Sequence, residues 1–372
     1  MSRARDLADL AGSASAGGIT GRNMVINGGM TISQRGTSFS SVANVSYTLD
    51  RMQWYDTGAG VVDISQSTDT PNGNFYNSLK IDVTTADTSD NLAAGDLYNI
   101  IHQIEGYNIA HLGWGTSVAK TVTLSFHIKS PKTGTHSIAL RNSDQSRTRV
   151  EEFTVSAADT WEKKTITIPG DTSGTWQATT SAGIQLIFPL AAGSTFHAAS
   201  TVGSWGTDSN NSGNIYASSN QVNCMDDAAN NWYITGIQLE VGSSATTFEN
   251  EDRSTTLRKC QRYYQKTFPY GTAPAQNAGT GGSIVAVASG TGTAPNRALS
   301  YHWAFPVVMR TTPTTTTFNT SATNANWYNM PTGGSVAANI LYASHSGINI
   351  TNNAATTDNY GYRIQAQVDA EF

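Results

Sequence analysis

From about residue 24 onward the chain alternates apolar and polar positions in short runs. In "KTVTLSFHIKS" (120–130), Val122, Leu124, Phe126 and Ile128 share one side, with Thr, Ser and His on the other. That period of two is the mark of a strand with one face buried. "HSIALRN", "EEFTVS", "KTITIPG" and "AGIQLIFPL" follow at intervals near ten residues, and "NWYITGIQLEVG" closes the region. Earlier, Asn27-Gly28 in "NMVINGGMTISQRG" predicts a hairpin between two apolar runs. After Tyr270 the pattern resumes in "GSIVAVASG", "RALSYHWAFPVVM", "PTTTTFN", "GSVAANILYAS", "SGINIT" and "YGYRIQAQVDAEF". The last run is expected to be paired within a sheet. No helical periods separate these strands, so the pattern predicts an all-β protein of antiparallel sandwiches, not a parallel sheet.

Two segments break the alternation. "RSTTLRKCQRYYQKTFPYG" (253–271) holds Arg253, Arg258, Lys259, Arg262 and Lys266. Leu257, Cys260 and Tyr264 recur at i, i+3 and i+7, which predicts a helix over 254–267, capped by Ser254 or Thr255 and ended by Pro269 and Gly271. The helix either plugs one end of the first sandwich or packs its tyrosines on symmetry mates at a domain junction. At the start, Leu7 and Leu10 fall on one face of a short helix with Arg3 and Arg5 elsewhere, followed by the linker "GSASAGGITG". Ordering such a linker costs about 1–2 kcal/mol per residue, so another chain is expected to hold it. The resulting organisation is an anchoring segment and linker at 1–23, a jelly-roll sandwich at 24–250, a connecting helix at 251–271 and a distal β domain at 272–372. Between 191 and 231 lies a long polar connection at one end of the first sandwich. Within it, "GSWGTDSNNSGNIYASSNQ" has little to bury except Trp205, Ile215 and Tyr216.

Composition narrows the function classes. Charged residues make up 13% of the chain and the net charge is -5, so no basic face for nucleic acid is expected. No run approaches the length of a membrane span, and "MSRARDLADLAG" is too charged for a secretory signal. Synthesis and folding in a cytoplasm, without membrane insertion, are expected. The two cysteines, Cys224 and Cys260, are read as buried thiols. The seven histidines are scattered, and neither a zinc spacing, a nucleophile elbow nor a phosphate loop is present. Asp87 and Asp90 in "TTADTSDN" match no calcium loop. The expectation is a protein that is not an enzyme and takes no cofactor or metal.

Aromatic residues are the suggestive class. Trp54, Tyr55, Trp161 and Trp232 sit beside alternating runs and are expected in the core. Trp114, Trp176 and Trp205 sit among turn residues, where an indole can stack on a sugar ring and hydrogen-bond at its edge. In the distal domain the loops 319–334 and 351–361 combine the polar groups Asn324, Asn326, Asn329 and Asp358 with the rings of Trp327, Tyr328 and Tyr360. These are candidate ligand contacts.

The blocks "NMVINGGMTISQRGTSF" and "YTLDRMQW", followed by the sandwich and closed by "ITGIQLEVGSSATTFE" and "LRKCQRYYQKT", resemble a family of tail-fibre and receptor-binding structural proteins of tailed phages, especially marine short-tailed ones. "SRARDLADLAG" looks like the start such proteins use to attach to the virion, and "WAFPVVMRTTPTTT" is similar to a strand pair of their distal parts. The resemblance covers most of 1–270 and, more loosely, 298–317. It implies a non-enzymatic virion protein with a carbohydrate-module-like jelly roll. Residues 1–20, with Arg3, Arg5, Leu7 and Leu10, would bind a tail hub, adaptor or capsid protein. The β domains would contact a host-surface polysaccharide. It also implies a homotrimer, consistent with the low charge and with closed symmetry; Leu257, Cys260, Tyr263 and Tyr264 are expected near the threefold axis. A head fibre, decoration or adaptor protein without glycan contact is the competing class. A polysaccharide depolymerase would need a long repetitive parallel β-helix, which the sequence lacks.

Overall fold

The computed structural model describes residues 21–87, 92–198, 202–207, 215–289, 299–352, 356–357 and 359–372. The chain divides into two units. The first runs up to Ser33, resumes at Thr37–Thr256 and includes Phe372; the second comprises Gln34–Gly36 and Leu257–Glu371. The expected anchoring segment 1–20 lies outside the described residues.

The first unit contains twelve described strands: β1 (Ser38–Phe39), β2 (Ser46–Tyr47), β3 (Gln53–Asp56), β4 (Val61–Ser67), β5 (Ser78–Thr85), β6 (Leu97–Glu105), β7 (Val122–Lys129), β8 (Gly134–Arg141), β9 (Thr148–Val155), β10 (Glu162–Ile168), β11 (Ala182–Ala192) and β12 (Asn231–Val241). They form two six-stranded sheets, β1-β4-β5-β12-β7-β10 and β2-β3-β6-β11-β8-β9. All these pairings are antiparallel. The all-β sandwich expected from the alternation is the one observed. Val122, Leu124, Phe126 and Ile128 are all buried between the sheets, together with Trp54, Trp232 and the inward residues of β11. At about 25 cal/mol per Å² of apolar surface, this shared face is what holds the sheets together.

The expected hairpin at Asn27-Gly28 is a turn without flanking strands. Asn27 adopts φ 62°, and Met30 donates its N–H to the Asn27 carbonyl at 2.9 Å. The Asn27 amide bonds the Ile32 and Asp50 carbonyls and accepts from the Ile32 N–H, which replaces a strand ladder. Gly28 is required there, because a Cβ would stand 2.0 Å from the Ile237 carbonyl oxygen. The long β11–β12 connection is partly structured. Phe196, Ile215, Tyr216 and Ala217 pack over Leu97, Ile101, Ala139, Val150 and Ile187, on the face of the second sheet turned away from the main core.

One described helix, α1 (Arg253–Gln261), occupies the basic segment. It is shorter than the expected 254–267, and its cap is Asp252, whose carboxylate accepts from the N–H groups of Ser254 (2.9 Å) and Thr255 (3.3 Å). The tyrosines follow a strand instead: β13 (Tyr264–Lys266) joins a sheet, and Ala370 donates its N–H to the Tyr263 carbonyl.

The second unit continues with β14 (Ile284–Val287), β15 (Ser300–Ala304), β16 (Thr314–Phe318), β17 (Trp327–Asn329), β18 (Ser335–Val336), β19 (Ala338–Ser344), β20 (Gly347–Asn352) and β21 (Gly361–Asp369). Strand β21 organises it. Its N-terminal half pairs with β14 and β17, and its C-terminal half with β13 and β16. A three-stranded sheet, β15-β20-β19, completes the unit. The core includes Trp327, Ile348, Ile350, Tyr362, Ile364 and Val368.

Candidate functional site

The three loop tryptophans expected to touch ligand come together at one end of the first sandwich. Trp114 precedes β7, Trp176 lies between β10 and β11, and Trp205 lies in the long connection. Their rings meet nearly edge to face at 4.7 Å (Trp114–Trp176), 5.2 Å (Trp114–Trp205) and 5.3 Å (Trp176–Trp205). Each indole N–H is already used by a main-chain carbonyl: Lys120 at 2.8 Å, Ser173 at 3.2 Å and Pro169 at 2.6 Å respectively. Trp114 is buried, whereas Trp176 and Trp205 remain half-buried. A bidentate pair fixes the loops beneath, with Arg147 on Asp171 at 2.7 and 2.9 Å. The cluster therefore closes the sandwich end and leaves only parts of two indole rings facing solvent.

The distal candidates mostly turn inward, which corrects the expectation for loop 319–334. Trp327 is fully buried and donates its indole N–H to the Thr351 carbonyl at 3.0 Å. In β17 the alternation puts Trp327 and Asn329 inside and Tyr328 outside, and the Arg363 guanidinium lies 4.7 Å from the Tyr328 ring centre. Asn324 bonds Asn319 at 3.0 Å, and Asn329 donates to the Tyr362 hydroxyl at 3.2 Å, so both amides serve the fold. Asn326 and Tyr360 are half-buried, and Tyr360 packs against the core. Asp358, like Arg3, Arg5, Leu7 and Leu10, lies outside the described residues.

Of the residues expected at a threefold axis, Cys260, Tyr263 and Tyr264 are buried within their own chain. The Arg35 guanidinium stacks 3.8 Å above Tyr264 and bonds Asp369 at 2.8 Å, which covers the ring within the second unit. Leu257 alone of the four remains half-buried. Most of the apolar stripe is thus enclosed within the second unit itself.

Sequence reading missed a polar row that crosses the outer face of the second sheet. Gln103, Gln185 and Arg141 stand opposite one another on β6, β11 and β8. Arg141 donates to Gln185 at 2.6 Å and to the Tyr216 hydroxyl at 2.9 Å, with its guanidinium 4.3 Å from the Tyr216 ring centre. Gln185 donates to Gln103 at 3.1 Å, and Gln103 reaches the Tyr47 hydroxyl at 3.3 Å and Gln53 at 3.4 Å. Tyr55 lies parallel to Tyr216, 6.2 Å away and inclined by 7°. Burial, followed by the neighbouring Tyr216, raises the Tyr55 hydroxyl above its ordinary pKa, so it remains a neutral donor. Tyr47, Tyr55 and Gln185 keep part of their surface in solvent, while Gln53, Gln103 and Arg141 are buried behind them. The row thus offers amide, guanidinium and phenol groups beside aromatic rings, the mixture that holds a hydroxylated ligand. Its signal in the sequence is the recurrence of Asn99, Gln103 and Glu105 on one face of "LYNIIHQIE", opposite Ile100 and Ile104.

Among the described residues no group of three or more His, Cys, Asp or Glu could hold a metal ion, and no helix is long and apolar enough to cross a membrane. Cys224 and Cys260 are buried and not joined in a disulfide, and burial pushes Cys224 up to about 12.

No protein family matches the chain, and no curated protein matches it. Solved structures similar to it include the enzymatically active domain of bacteriophage CBA120 tailspike protein 4, at 14% identity over 55% of this chain and 22% of that one, with a TM-score of 0.30. A CBM4 structure is similar at 13% identity over 59% of this chain and 99% of that one, with a TM-score of 0.29. The family 11 carbohydrate-binding module of a cellulosomal cellulase from Clostridium thermocellum is similar at 16% identity over 55% of this chain and 96% of that one, with a TM-score of 0.27. The chain thus spans about a fifth of the tailspike domain it matches.

Proposed function

We propose that this chain is a non-enzymatic phage virion protein of the tail-fibre type whose first unit binds a host-surface polysaccharide. The polar row across β2, β3, β6, β11 and β8 carries the reading. A saccharide presents ring hydroxyls that both donate and accept, with apolar C–H faces between them. Gln185 and the residues behind it supply donors and acceptors at the strand spacing, and Tyr55 and Tyr47 supply the apolar faces. The order of sequence blocks resembling tail-fibre proteins supports the assignment to a virion, with residues 1–20 attaching the chain to the particle and the fibre assembled as a homotrimer. Each site binds weakly, and three copies raise the effective concentration.

The test is binding of the full chain to a glycan array, followed by the variants Gln185→Ala and Tyr55→Ala. Loss of signal with the thermal unfolding midpoint largely retained supports the reading. An array signal that survives both variants removes the row from the ligand, and no signal on any glycan favours a purely structural component.

A further inference from the structure

On the other sheet, the outer face of β7, β10 and β12 carries a cavity of about 440 Å³, within the range of about 300–1,000 Å³ usual for small-molecule sites. Its floor is Ser125 and His127 of β7 with Gly236 of β12. The cavity exists because β12 is irregular there: its register against β7 shifts between Thr235 and Gln238, and Gly236 takes φ +64°. A Cβ on Gly236 would stand 2.7 Å from the Phe75 ring and 3.1 Å from His127 Nδ1, so only glycine leaves the floor at this depth. Phe75 and Phe248 form the walls, with ring centres 5.2 Å apart and planes inclined by 56°. Two straps to β12 fix the segment bearing Phe248. The Thr246 N–H donates to Glu240 and the Glu249 N–H to Gln238, both at 2.8 Å. The site is therefore preformed.

Its asparagine side chains are uncommitted. Asn72, Asn74 and Asn250 line the cavity, and among the described residues their side chains make no hydrogen bond with the protein. Lys163 lies across the strands from His127 and has no acidic partner among the described residues. No carboxylate lines the cavity. Burial, and secondarily the Lys163 charge, push His127 down to about 4, so its ring is neutral at physiological pH. Lys163 is then the single charge on the lining.

We infer that this cavity binds a carboxylated pyranose unit of an acidic polysaccharide, a site separate from the polar row. The C–H face of the sugar lies against Phe75 and Phe248, the three asparagines take its hydroxyls, and Lys163 takes the carboxylate. A neutral sugar would leave the cation unused, and a bare anion would leave both rings unused.

The test is calorimetric titration of the full chain with trigalacturonate and N-acetylneuraminate, with neutral galactotriose and inorganic phosphate as controls. At least one acidic sugar should bind more tightly than galactotriose. Lys163→Gln should bring it to the neutral level, a loss of about 3- to 10-fold, because the residue is exposed and its charge partly screened. Asn250→Ala should weaken acidic and neutral sugars alike. Binding should stay level from pH 5 to 8, where His127 is neutral. Any of three results overturns the inference: no acidic sugar binds, Lys163→Gln leaves the preference intact, or phosphate competes as well as the sugar. Loss of binding in Gln185→Ala with Lys163→Gln silent would place the ligand on the polar row instead.

Discussion

His102 faces the interior of the first sandwich between Ile100 and Ile104 and is fully buried. Burial first, and the nearby Arg51 charge second, hold its pKa well below the ordinary 6.5. His127 and His136 are lowered too, chiefly by burial. The unfolded chain therefore binds more protons than the folded one once the pH falls below about 6.5, and stability falls with it. Each unit of depression is worth about 1.4 kcal/mol. The urea midpoint of the first unit should be lower at pH 5 than at pH 7.5, and His102→Leu should flatten that slope; an unchanged slope would assign it to other groups. Trp327→Ala removes a fully buried ring and its bond to Thr351, a loss of about 3–5 kcal/mol. It should therefore show as unfolding of the second unit by circular dichroism, with glycan binding by the first unit retained.

Among the elements, β12 makes an exacting demand at the Gly236 irregularity. Gly236→Ala places a Cβ in left-handed backbone, a cost of about 1–2 kcal/mol, and drives it toward Phe75. The thermal midpoint should fall, while Ala on the open, left-handed Gly203, with nothing within 4 Å, should show only the backbone part. The strands of both units were legible because one apolar face per strand imposes a period of two that no other element shares; β7 is the plainest case. The end of α1 was not. Tyr263 and Tyr264 continue a helical stripe equally well, and only the distant β21 decides that 264–266 extend. Trp327 was misread for a related reason, since a tryptophan among Asn, Thr and Gly carries no local sign of the core it fills. The polar row was hidden because Gln103 and Gln185 occupy positions that alternation assigns to solvent, and which loop covers that face is a matter of tertiary structure. The tryptophan cluster was half legible: the three residues could be named, but not their meeting.

For the whole molecule, the fibre reading predicts a trimer in light scattering at micromolar concentration; a monomer would contradict it. Removing residues 1–20 should leave a folded oligomer that no longer enters particles, and normal incorporation of the truncated chain would locate attachment elsewhere. The division of the chain makes the two folding reactions separable in principle, and they differ in timing. In the second unit β21 pairs with β13, β14, β16 and β17, all of which precede it in the chain. During synthesis those four strands leave the ribosome before the partner they share. Each waits with an open edge, the condition in which strands pair with the wrong neighbour or with another chain. The strands that must wait are short, three to five residues each, and β14 alone among them is wholly apolar. A chain that ends before residue 361 therefore lacks the one strand on which its second unit closes, and leaves four strand edges open.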